Sequence, residues 1–385
     1  MKPLKVAIIA GEVSGDLLAA DLISALKRQL HDQTGQEIEL FGVGGPGLVS
    51  EGLKPLFDFS ELSIIGISAV IAKLPKLLRR IRQTANSIVE YDPDILIIVD
   101  SPDFTHRVAK IVREKNPRIP IINYVCPTVW AWKSERALKM RAYIDHVLSV
   151  LPFEPEIVEK LSGPPISYIG HRLMENKAAQ TCRTTQLSHQ ISADKTILLL
   201  PGSRSSELNK NLETIQKSAL EYLKFEPQTK FIMPTIARFE SRLQDELKSW
   251  PFQVELVVGE TDKWDAFSRA DAALAVSGTI LLELAIARVP CVSIYKVDFM
   301  LRMLHKKMDA WTAALPNWIA DYQAIPEFFD EFARPGMLAR HLYRLSSDTL
   351  QRNTMLEAFD FVHEQMSVDQ PPSEYGARIV LEHLK

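Results

Sequence analysis

The chain has 385 residues, 46% of them hydrophobic and 24% charged, and a formal net charge of −3 at pH 7. This length favours two domains, and the charge excludes a protein held to nucleic acid by a global positive field. Its cysteines, Cys126, Cys182 and Cys291, form no CxxC pair, so we expect free thiols in a reducing cytoplasm and no zinc cluster. No apolar run reaches the roughly 20 residues that span a bilayer, so any membrane contact is expected from the surface.

Short apolar runs alternate with longer helical patterns in the first half of the chain. Strands are predicted at 5–10, 38–43, 94–100, 119–125, 146–151 and 166–170. Most of these runs are apolar throughout, as expected when helices cover both faces of a parallel sheet. The first half therefore predicts a βαβ series.

A polar segment without strong periodicity, residues 175–195, is interpreted as a linker to a second series of the same kind. Strands are predicted again at 196–202, 230–235, 254–259, 271–278 and 289–295. The prediction is an α/β protein of two doubly wound Rossmann-like domains, which bind ligands at the carboxyl ends of their strands and face a cleft. We place these domains at 1–175 and 176–344, and we expect the helical residues 345–385 to pack back on the first.

The second domain opens with a turn suited to an anion. In LLLPGSRSSELNKN, residues Ser203 to Ser206 offer donors at a helix N-terminus, and Arg204 adds a fork that matches phosphate oxygens. A capped helix with a surface arginine explains this turn equally well. Together with Glu207, these residues form the predicted phosphate-side contacts.

A second turn, AVSGTILLELA, points to the same sheet edge. Ser277, Gly278 and Thr279 follow a strand and precede a helix, and Glu283 lies one turn further on the same face, where it could accept hydrogen bonds from a ribose. In the alternative interpretation Thr279 only caps the helix and Glu283 only pairs with a cation. The two turns together favour a nucleotide diphosphate.

The corresponding loops of the first domain are acidic. GEVSGD carries Glu12, Ser14 and Asp16, and IIVDSPDF carries Asp100 and Asp103. Carboxylates at strand ends accept hydrogen bonds from hydroxyl substrates and can act as general bases. For Asp16 a contact with the helix dipole is the favoured alternative, and for Asp103 a turn or cap. The contrast between the two domains indicates transfer of a sugar from a nucleotide sugar to a hydroxyl.

The segment from Ile64 to Ile88 is the most amphipathic of the chain. From Pro75 onward an apolar stripe, Leu77, Leu78, Ile81, Ala85 and Ile88, lies opposite Lys76, Arg79, Arg80 and Gln83. The segment 299–308 has a similar mixture of apolar and basic residues, the latter being Arg302, Lys306 and Lys307. A basic amphipathic helix can lie on an anionic bilayer, but spacing alone favours an ordinary surface helix with a core stripe.

A series of motifs extends along nearly the whole chain: AGEVSGD, GVGGPGL, DSPDF, YVCPTVWAWK, LPFEPE, YIGH, LLPGSR, SGTILLE and LPNWIA. In this order and rough spacing they resemble lipid-A-disaccharide synthase, an inverting glycosyltransferase family of Gram-negative bacteria. One such motif would be weak evidence, whereas the series is specific.

The resemblance implies a GT-B fold and transfer of 2,3-diacylglucosamine from its UDP derivative to the 6-hydroxyl of 2,3-diacylglucosamine 1-phosphate (lipid X). It implies a β-1,6-linked product, no metal or other cofactor, no nucleic-acid partner, and a cytoplasmic enzyme associated peripherally with the anionic inner membrane; a homodimer is compatible with it. The alternatives are another UDP-sugar enzyme of this fold, such as a UDP-N-acetylglucosamine epimerase or transferase, or a membrane-surface binder without catalysis.

The resemblance also implies roles for single residues. Asp100 is the expected general base or its organiser, Glu12 is its rival, and Arg204 with the Ser277–Thr279 turn stabilises the leaving diphosphate. Glu283 and Asn317 match further substrate-binding positions. An acyl-chain and membrane surface is implied for Ile67, Val70, Ile71, Leu74, Leu77, Leu78, Arg79 and Arg80. The sequence departs from the family pattern at Cys126, Thr128, Arg172, Lys296 and Asp330.

Overall fold

Two units, each built on a parallel sheet, make up the chain. The computed structural model describes residues 2–62, 67–191, 193–296 and 310–384, with the backbone alone for 67–74. The first unit combines Met1–Arg172 with Val368–Lys385, and the second is Leu173–Ser367. The predicted basic segment at 299–308, with Arg302, Lys306 and Lys307, lies outside the described residues.

The first unit has a sheet of seven described strands in the order β3-β2-β1-β4-β5-β6-β7. All pair in parallel. The strands are β1 Leu4–Ala10, β2 Ile38–Val43, β3 Lys54–Pro55, β4 Ile95–Val99, β5 Ile121–Tyr124, β6 His146–Ser149 and β7 Ile166–Tyr168. The central strand β4 is fully buried along its length, which explains why its sequence shows no polar alternation.

Helices connect the strands of the first sheet. In the first half of the chain they are α1 Val13–Thr34, α2 Pro46–Ser50, α3 Ile67–Tyr91, α4 Pro102–Lys115, α5 Glu135–Met140 and α6 Glu154–Lys160. Short 3₁₀ turns lie at Phe59–Leu62 and Arg172–Glu175. None of the helices in the described part of the chain is both long and apolar enough to cross a bilayer.

The second unit repeats the arrangement with six described strands in the order β10-β9-β8-β11-β12-β13. They are β8 Thr196–Leu200, β9 Lys230–Thr235, β10 Val254–Val258, β11 Ala272–Val276, β12 Cys291–Tyr295 and β13 Glu327–Phe329. In both units the chain runs outward from a central strand, returns, and continues on the other side, as in Rossmann-like folds. The predicted fold of two doubly wound α/β units is confirmed.

The later helices divide between the two units. They are α7 Lys177–Leu187, α8 Ser205–Tyr222, α9 Glu240–Leu247, α10 Glu260–Arg269, α11 Ile280–Ala287, α12 Leu315–Ala320, α13 Pro335–Leu345, α14 Leu350–Met366 and α15 Pro372–Glu382. Further 3₁₀ turns lie at Ala237–Phe239 and Asp330–Phe332. Helix α14 packs on α11, α12 and α13, and α15 packs on α1.

This division corrects the expectation that residues 345–385 pack together on the first domain. Asp360 of α14 forms ion pairs with Arg183 and Arg288, both in the second unit. Glu374 of α15 accepts hydrogen bonds from Arg28 and Gln29 of α1, both at 2.6 Å. The chain therefore returns to the first unit only after Ser367.

The segment predicted as a linker also contains structure. Asn176 caps α7 by accepting hydrogen bonds from Ala178 N (2.9 Å) and Ala179 N (3.2 Å). The buried Gln186 donates to Phe267 O and Ala270 O, which joins α7 to the end of α10. The helix was missed because a glutamine holds part of its buried face, so the apolar spacing is weak.

Helix α3 shows what its apolar stripe does. Ile81, Ala85 and Ile88 are buried in the core of the first unit, Leu77 packs against that core, and Leu78 is 39% exposed. The interpretation as a core stripe is confirmed for these buried positions. The side chains of Ile67, Val70, Ile71 and Leu74 lie outside the described residues.

Candidate active site

The two acidic loops of the first unit lie side by side. Strands β1 and β4 pair with Ala10 opposite Val99, so Glu12 and Asp100 follow neighbouring strand ends. An added Cβ on Gly15 would lie 3.6 Å from the Asp100 Cβ, an ordinary van der Waals contact between the two loops. At Gly11 an added Cβ would lie 2.6 Å from the Ser101 Oγ. Glycine is thus required for this contact between the loops. We call this region the acidic edge.

Backbone strain marks the acidic edge. Asp100, Ser101 and Val125 follow strands β4 and β5 with φ values of 50°, 46° and 71°. Such left-handed conformations are unfavourable for residues with a side chain, above all for a β-branched valine, and they cluster at functional sites. The Asp100 Oδ1 accepts a hydrogen bond of 2.7 Å from Ser101 N. Within the described residues, no donor reaches Asp100 Oδ2, which is available to a substrate hydroxyl.

The side chain of Asp16 is not available to a ligand at the acidic edge. Its carboxylate is 2% exposed and accepts hydrogen bonds from Gly45 N (2.7 Å), Gly47 N (2.7 Å) and Leu48 N (3.2 Å). A Cβ on Gly45 or Gly47 would lie 2.9 Å from Asp16 Oδ2, so the glycines of GVGGPGL permit this contact. This corrects the predicted substrate contact: Asp16 anchors the loop that begins α2.

The remaining acidic-edge residues differ in exposure. Ser14 and Glu12 are exposed at the first turn of α1. Asp103 has 82% of its side chain exposed, and its Oδ1 lies 3.5 Å from Arg136 Nη2.

A further carboxyl group of the first unit, that of Glu154, is buried beyond β6. It accepts hydrogen bonds from Trp130 Nε1 (3.3 Å) and Leu151 N (3.2 Å). Burial raises the pKa of Glu154 to about 8, so this carboxyl is mostly protonated at neutral pH.

The second unit contains a cavity of about 350 Å³ between its two predicted turns. We call it the donor cavity. It is lined by the start of α8, by the ends of β11 and β12 with the residues that follow them, and by residues ahead of α8 and α12: Arg204, Ser206, Glu207, Lys210, Asn211, Val276, Ser277, Gly278, Tyr295, Lys296 and Ala313. Three of them are cations and one is an acid, so the cavity favours an anion.

Glu207 already occupies part of the predicted phosphate turn. Its Oε2 accepts hydrogen bonds from Ser203 N (2.8 Å) and Arg204 N (3.1 Å), and its Oε1 lies 3.0 Å from Arg204 Nη1. This is a capping arrangement in which a carboxylate of the first turn of α8 satisfies the two amides just before the helix. The amides of Ser203 and Arg204 are thus engaged, whereas the Arg204 side chain is 71% exposed and can turn to a ligand.

Among the polar lining residues, Lys210 and Asn211 were not predicted from the sequence, and Lys296 was named only as a departure from the family pattern. Lys210 and Asn211 lie four residues after Ser206 and Glu207, a spacing that places them on the same face of α8. Asn211 is 2% exposed, and its Oδ1 has no partner in the described part of the chain. Lys296 Nζ donates to Lys210 O at 2.7 Å. The i+4 spacing behind the turn was the signal that could have found Lys210 and Asn211.

The turn at Ser277–Thr279 contributes fewer residues to the donor cavity than predicted. Ser277 and Gly278 line the donor cavity, and Thr279 is the N-cap residue of α11 but makes no side-chain capping hydrogen bond. Glu283 Oε2 accepts a hydrogen bond of 2.6 Å from Lys263 Nζ, and it does not line the cavity. Burial raises the pKa of Glu283, and the Lys263 ammonium opposes that rise. The structure therefore shows the cation pairing that was the alternative interpretation for Glu283.

Asn317 is a structural residue. It is fully buried; its Nδ2 donates to Thr312 Oγ1 (3.0 Å) and Ile325 O (3.1 Å), and its Oδ1 accepts from Ile325 N (2.8 Å). Glu327 is a further acceptor at 3.3 Å. This corrects the predicted substrate contact, because a side chain so enclosed and bonded has no free group for a ligand.

We expect Asn317→Ala to lower the free energy of unfolding by about 2–4 kcal/mol, since it leaves buried backbone groups unpaired. Urea unfolding measures the effect. The control is Asn209→Ala on the exposed face of α8, which we expect to stay within about 0.5 kcal/mol of the parent. A stable Asn317→Ala protein that no longer binds UDP would contradict this assignment.

Comparison with known proteins decides the family. A family model described as lipid-A-disaccharide synthetase matches residues 6–375. This chain belongs to the lipid-A-disaccharide synthetase family. A lipid-A-disaccharide synthase of Rhodopseudomonas palustris (strain HaA2) is 43% identical over 381 residues, covering 98% of this chain and 96% of the relative. One from Nitrobacter winogradskyi is 40% identical over 391 residues, covering 99% and 96%.

Solved structures show the same fold at low identity. MurG of Acinetobacter baumannii is 16% identical with a TM-score of 0.59, and the match covers 99% of this chain and all of that one. The UDP-GlcNAc 2-epimerase of Neisseria meningitidis is 13% identical with a TM-score of 0.53, covering 99% of both chains. The likeness supports a GT-B fold built of two Rossmann-like domains for this member of the synthetase family.

The departures from the family motifs fall in different places. Lys296 is the one that lines the donor cavity. Arg172 forms an ion pair with Asp21 at 2.7 Å on the surface of the first unit. Cys126 is buried. Of these departures, Lys296 is therefore the one placed to affect how the donor cavity holds an anion.

Proposed function

We propose that this member of the lipid-A-disaccharide synthetase family uses the acidic edge for the acceptor and the donor cavity for the UDP-sugar. The reaction transfers 2,3-diacylglucosamine from UDP-2,3-diacylglucosamine to the 6-hydroxyl of 2,3-diacylglucosamine 1-phosphate. The observation that carries the assignment is the sorting of charge: two acidic loops in the first unit, of which the one with Asp100 is strained, and a cavity lined by Arg204, Lys210 and Lys296 in the second.

In the proposed step Asp100 accepts the proton of the acceptor 6-hydroxyl. The hydroxyl oxygen attacks the anomeric carbon from the face opposite UDP, the bond from that carbon to the diphosphate oxygen breaks, and the configuration inverts to β. Asp100 Oδ1 is held by Ser101 N while Oδ2 remains open, which suits a positioned base. Glu12 on the neighbouring loop organises the hydroxyl or competes as base.

On the donor side Arg204 is proposed to stabilise the charge that develops on the leaving diphosphate. Its exposed guanidinium exchanges Glu207 for phosphate oxygens, and such a charge-assisted contact strengthens as negative charge builds up. Lys210 and Lys296 supply further positive charge, so the proposed step needs no metal ion. Asn211 and Ser277 offer polar groups for orientation.

The test is an assay of the purified protein in detergent with UDP-2,3-diacylglucosamine and 2,3-diacylglucosamine 1-phosphate. We expect release of UDP with formation of a disaccharide 1-phosphate. UDP-N-acetylglucosamine serves as the comparison donor. Activity confined to that non-acylated sugar would favour the alternative of an epimerase or another transferase, and no turnover of either donor would refute the proposed reaction.

We further propose that the protein works at the cytoplasmic face of the inner membrane, with α3 near the bilayer. The arginine side chains of α3 differ in whether other residues of the protein bind them. Arg80 donates to Glu61 through Nε and Nη2, both at 2.9 Å, and stacks 4.4 Å from the Phe57 ring centroid. Arg79 and Arg82 are exposed and have no ion pair with another described residue. Arg80 therefore serves the fold, and Arg79 and Arg82 are the proposed lipid contacts.

Arg79→Glu combined with Arg82→Glu is expected to weaken binding to phosphatidylglycerol vesicles about tenfold or more, because each basic residue near the surface contributes on the order of 1 kcal/mol. Cosedimentation at low salt measures it. The control is Arg340→Glu with Arg344→Glu, which changes two exposed arginines of α13 by the same charge. Equal binding by both double variants would contradict the proposed surface.

A further inference from the structure

A second cavity of the protein lies in the first unit and is lined by several cationic side chains. None of these side chains has a role in the reaction proposed above. The volume of this cavity is about 210 Å³. Arg107 and Lys110 line it from α4, and Arg136 and Lys139 line it from α5. We call it the cationic pocket.

The spacing of these residues directs both pairs into the same space. Arg107 and Lys110 are three residues apart on α4, and Arg136 and Lys139 are three residues apart on α5, so each pair shares one helix face. Four cations lining one small cavity repel one another, and a bound anion relieves that repulsion.

Acidic side chains compensate this charge only in part. Asp103 lies 3.5 Å from Arg136, and Glu135 lies 3.9 Å from Lys139; both acids are largely exposed. Arg107 and Lys110 form no ion pair or side-chain hydrogen bond with any other residue that the structure describes. The pocket therefore retains a net positive charge.

The wall of the pocket is largely apolar, and one neutral polar pair, His106 and Tyr143, lies in it. His106 Nδ1 and Tyr143 Oη are 3.2 Å apart, and both residues line the cavity. Burial, and secondarily the charge of Arg136, lowers the pKa of His106 to about 4 although Asp103 opposes the shift. The imidazole is thus uncharged at neutral pH, and the attraction for an anion comes from the four cations.

The position of the pocket matches the chemistry of the acceptor. Pro102 and Asp103 line it, and they form the start of α4, two and three residues after Asp100. In a glucosamine 1-phosphate the phosphate is attached to C1 and the attacking hydroxyl to C6. C1 and C5, the carbon that bears C6, are the two ring carbons bonded to the ring oxygen. A base at Asp100 and an anion site beside it can therefore hold the two ends of one sugar.

We propose that the cationic pocket binds the phosphate of the acceptor sugar 1-phosphate, an inference that rests on the proposed function. Arg107 and Lys110 supply charge-assisted hydrogen bonds to the phosphate oxygens, with Arg136 and Lys139 facing them. The same chemistry would recognise the phosphate of an anionic lipid headgroup, so the experiment has to separate these two sources.

The test variant is Arg107→Gln with Lys110→Gln. It removes two exposed cations that form no ion pair or side-chain hydrogen bond with another described residue. The matched control is Arg118→Gln with Arg141→Gln, two exposed arginines next to α4 and α5 that do not line the pocket. We expect the KM for the acceptor 1-phosphate to rise about tenfold or more in the test variant, the loss expected for one charge-assisted contact. The KM for the UDP-sugar, and both KM values of the control, are expected to stay unchanged.

Three outcomes decide the proposal. An acceptor KM equal in the test and control variants overturns it. Loss of binding to phosphatidylglycerol vesicles by the test variant, with the acceptor KM unchanged, also overturns it and assigns the pocket to lipid headgroups. A raised KM for the acceptor, with an unchanged rate on diacylglucosamine lacking the phosphate, supports it.

A direct binding measurement keeps this test independent of the proposed reaction. Glucosamine 1-phosphate, which is soluble and carries no acyl chain, is titrated into the wild type and both variants and followed by ³¹P NMR. Binding by the wild type and the control but not by the test variant supports a phosphate site even if the wild type transfers no sugar. Equal spectra for the test variant and the control overturn the site.

Discussion

Asp100→Asn is expected to lower kcat by about 10²–10⁴-fold, the range for loss of a general base. The asparagine carbonyl oxygen can still accept the hydrogen bond from Ser101 N, and asparagine tolerates the left-handed backbone at this position. The fold and the affinity for UDP should therefore persist. Steady-state kinetics, with UDP binding measured by calorimetry, separate the loss of turnover from any loss of binding.

The control for this variant is Asp92→Asn. Asp92 precedes β4 just as Asp100 follows it, is exposed, and has the same φ of 50°. We expect Asp92→Asn to leave kcat within about twofold of the wild type, since surface substitutions of this kind have little effect. If Glu12→Gln abolishes turnover while Asp100→Asn retains it, the base is Glu12 instead. A non-catalytic binder would retain its function in both variants.

Arg204→Ala is the second change with a large expected effect. It should lower kcat/KM by about 10²–10³-fold, the loss found when one donor to a developing anion is removed. Arg204→Lys should recover only part of this, because an ammonium cannot hold two phosphate oxygens in the geometry of a guanidinium. The measurement is kcat/KM for the UDP-sugar together with the Kd for UDP.

The control for Arg204 is another exposed arginine of the second unit. Arg269 pairs with Glu255 at 2.9 Å, as Arg204 pairs with Glu207 at 3.0 Å, and Arg269 does not line the donor cavity. Exposed pairs contribute about 0–1 kcal/mol, so both alanine variants should keep nearly the same Tm. Equal kcat/KM for the two variants would exclude the proposed role of Arg204.

The sequence predicts the two sheets because their central strands are apolar on both faces. β4 and β11 are buried along their whole length, and each ends at a turn that carries polar residues. The same pattern places Glu12 and Asp100 at one edge, since parallel strands of a sheet end on the same side. That their strands β1 and β4 are direct neighbours is seen only in the structure. The short strands β3 and β13, of 2 and 3 residues, leave too little pattern to predict.

Single polar residues are where sequence reasoning fails. Asp16 lies next to a glycine turn, as a ligand would, but its three donors come from residues 29 to 32 positions away. Asn317 is likewise held by groups that only the folded loop brings together. Whether a polar side chain faces a substrate or satisfies buried amides depends on such distant partners, and spacing along the chain does not contain that information.

The strained residues Asp100, Ser101 and Val125 also say something about how this protein can be engineered. Glycine would relieve each left-handed conformation, and strained positions of this kind cost about 1–3 kcal/mol. A search for thermostable variants would therefore select glycine at these positions first, and at Asp100 it would remove the proposed base. Improved stability and retained activity are thus expected to conflict at this edge, so stabilising substitutions are better sought in the second unit or on the outer helices.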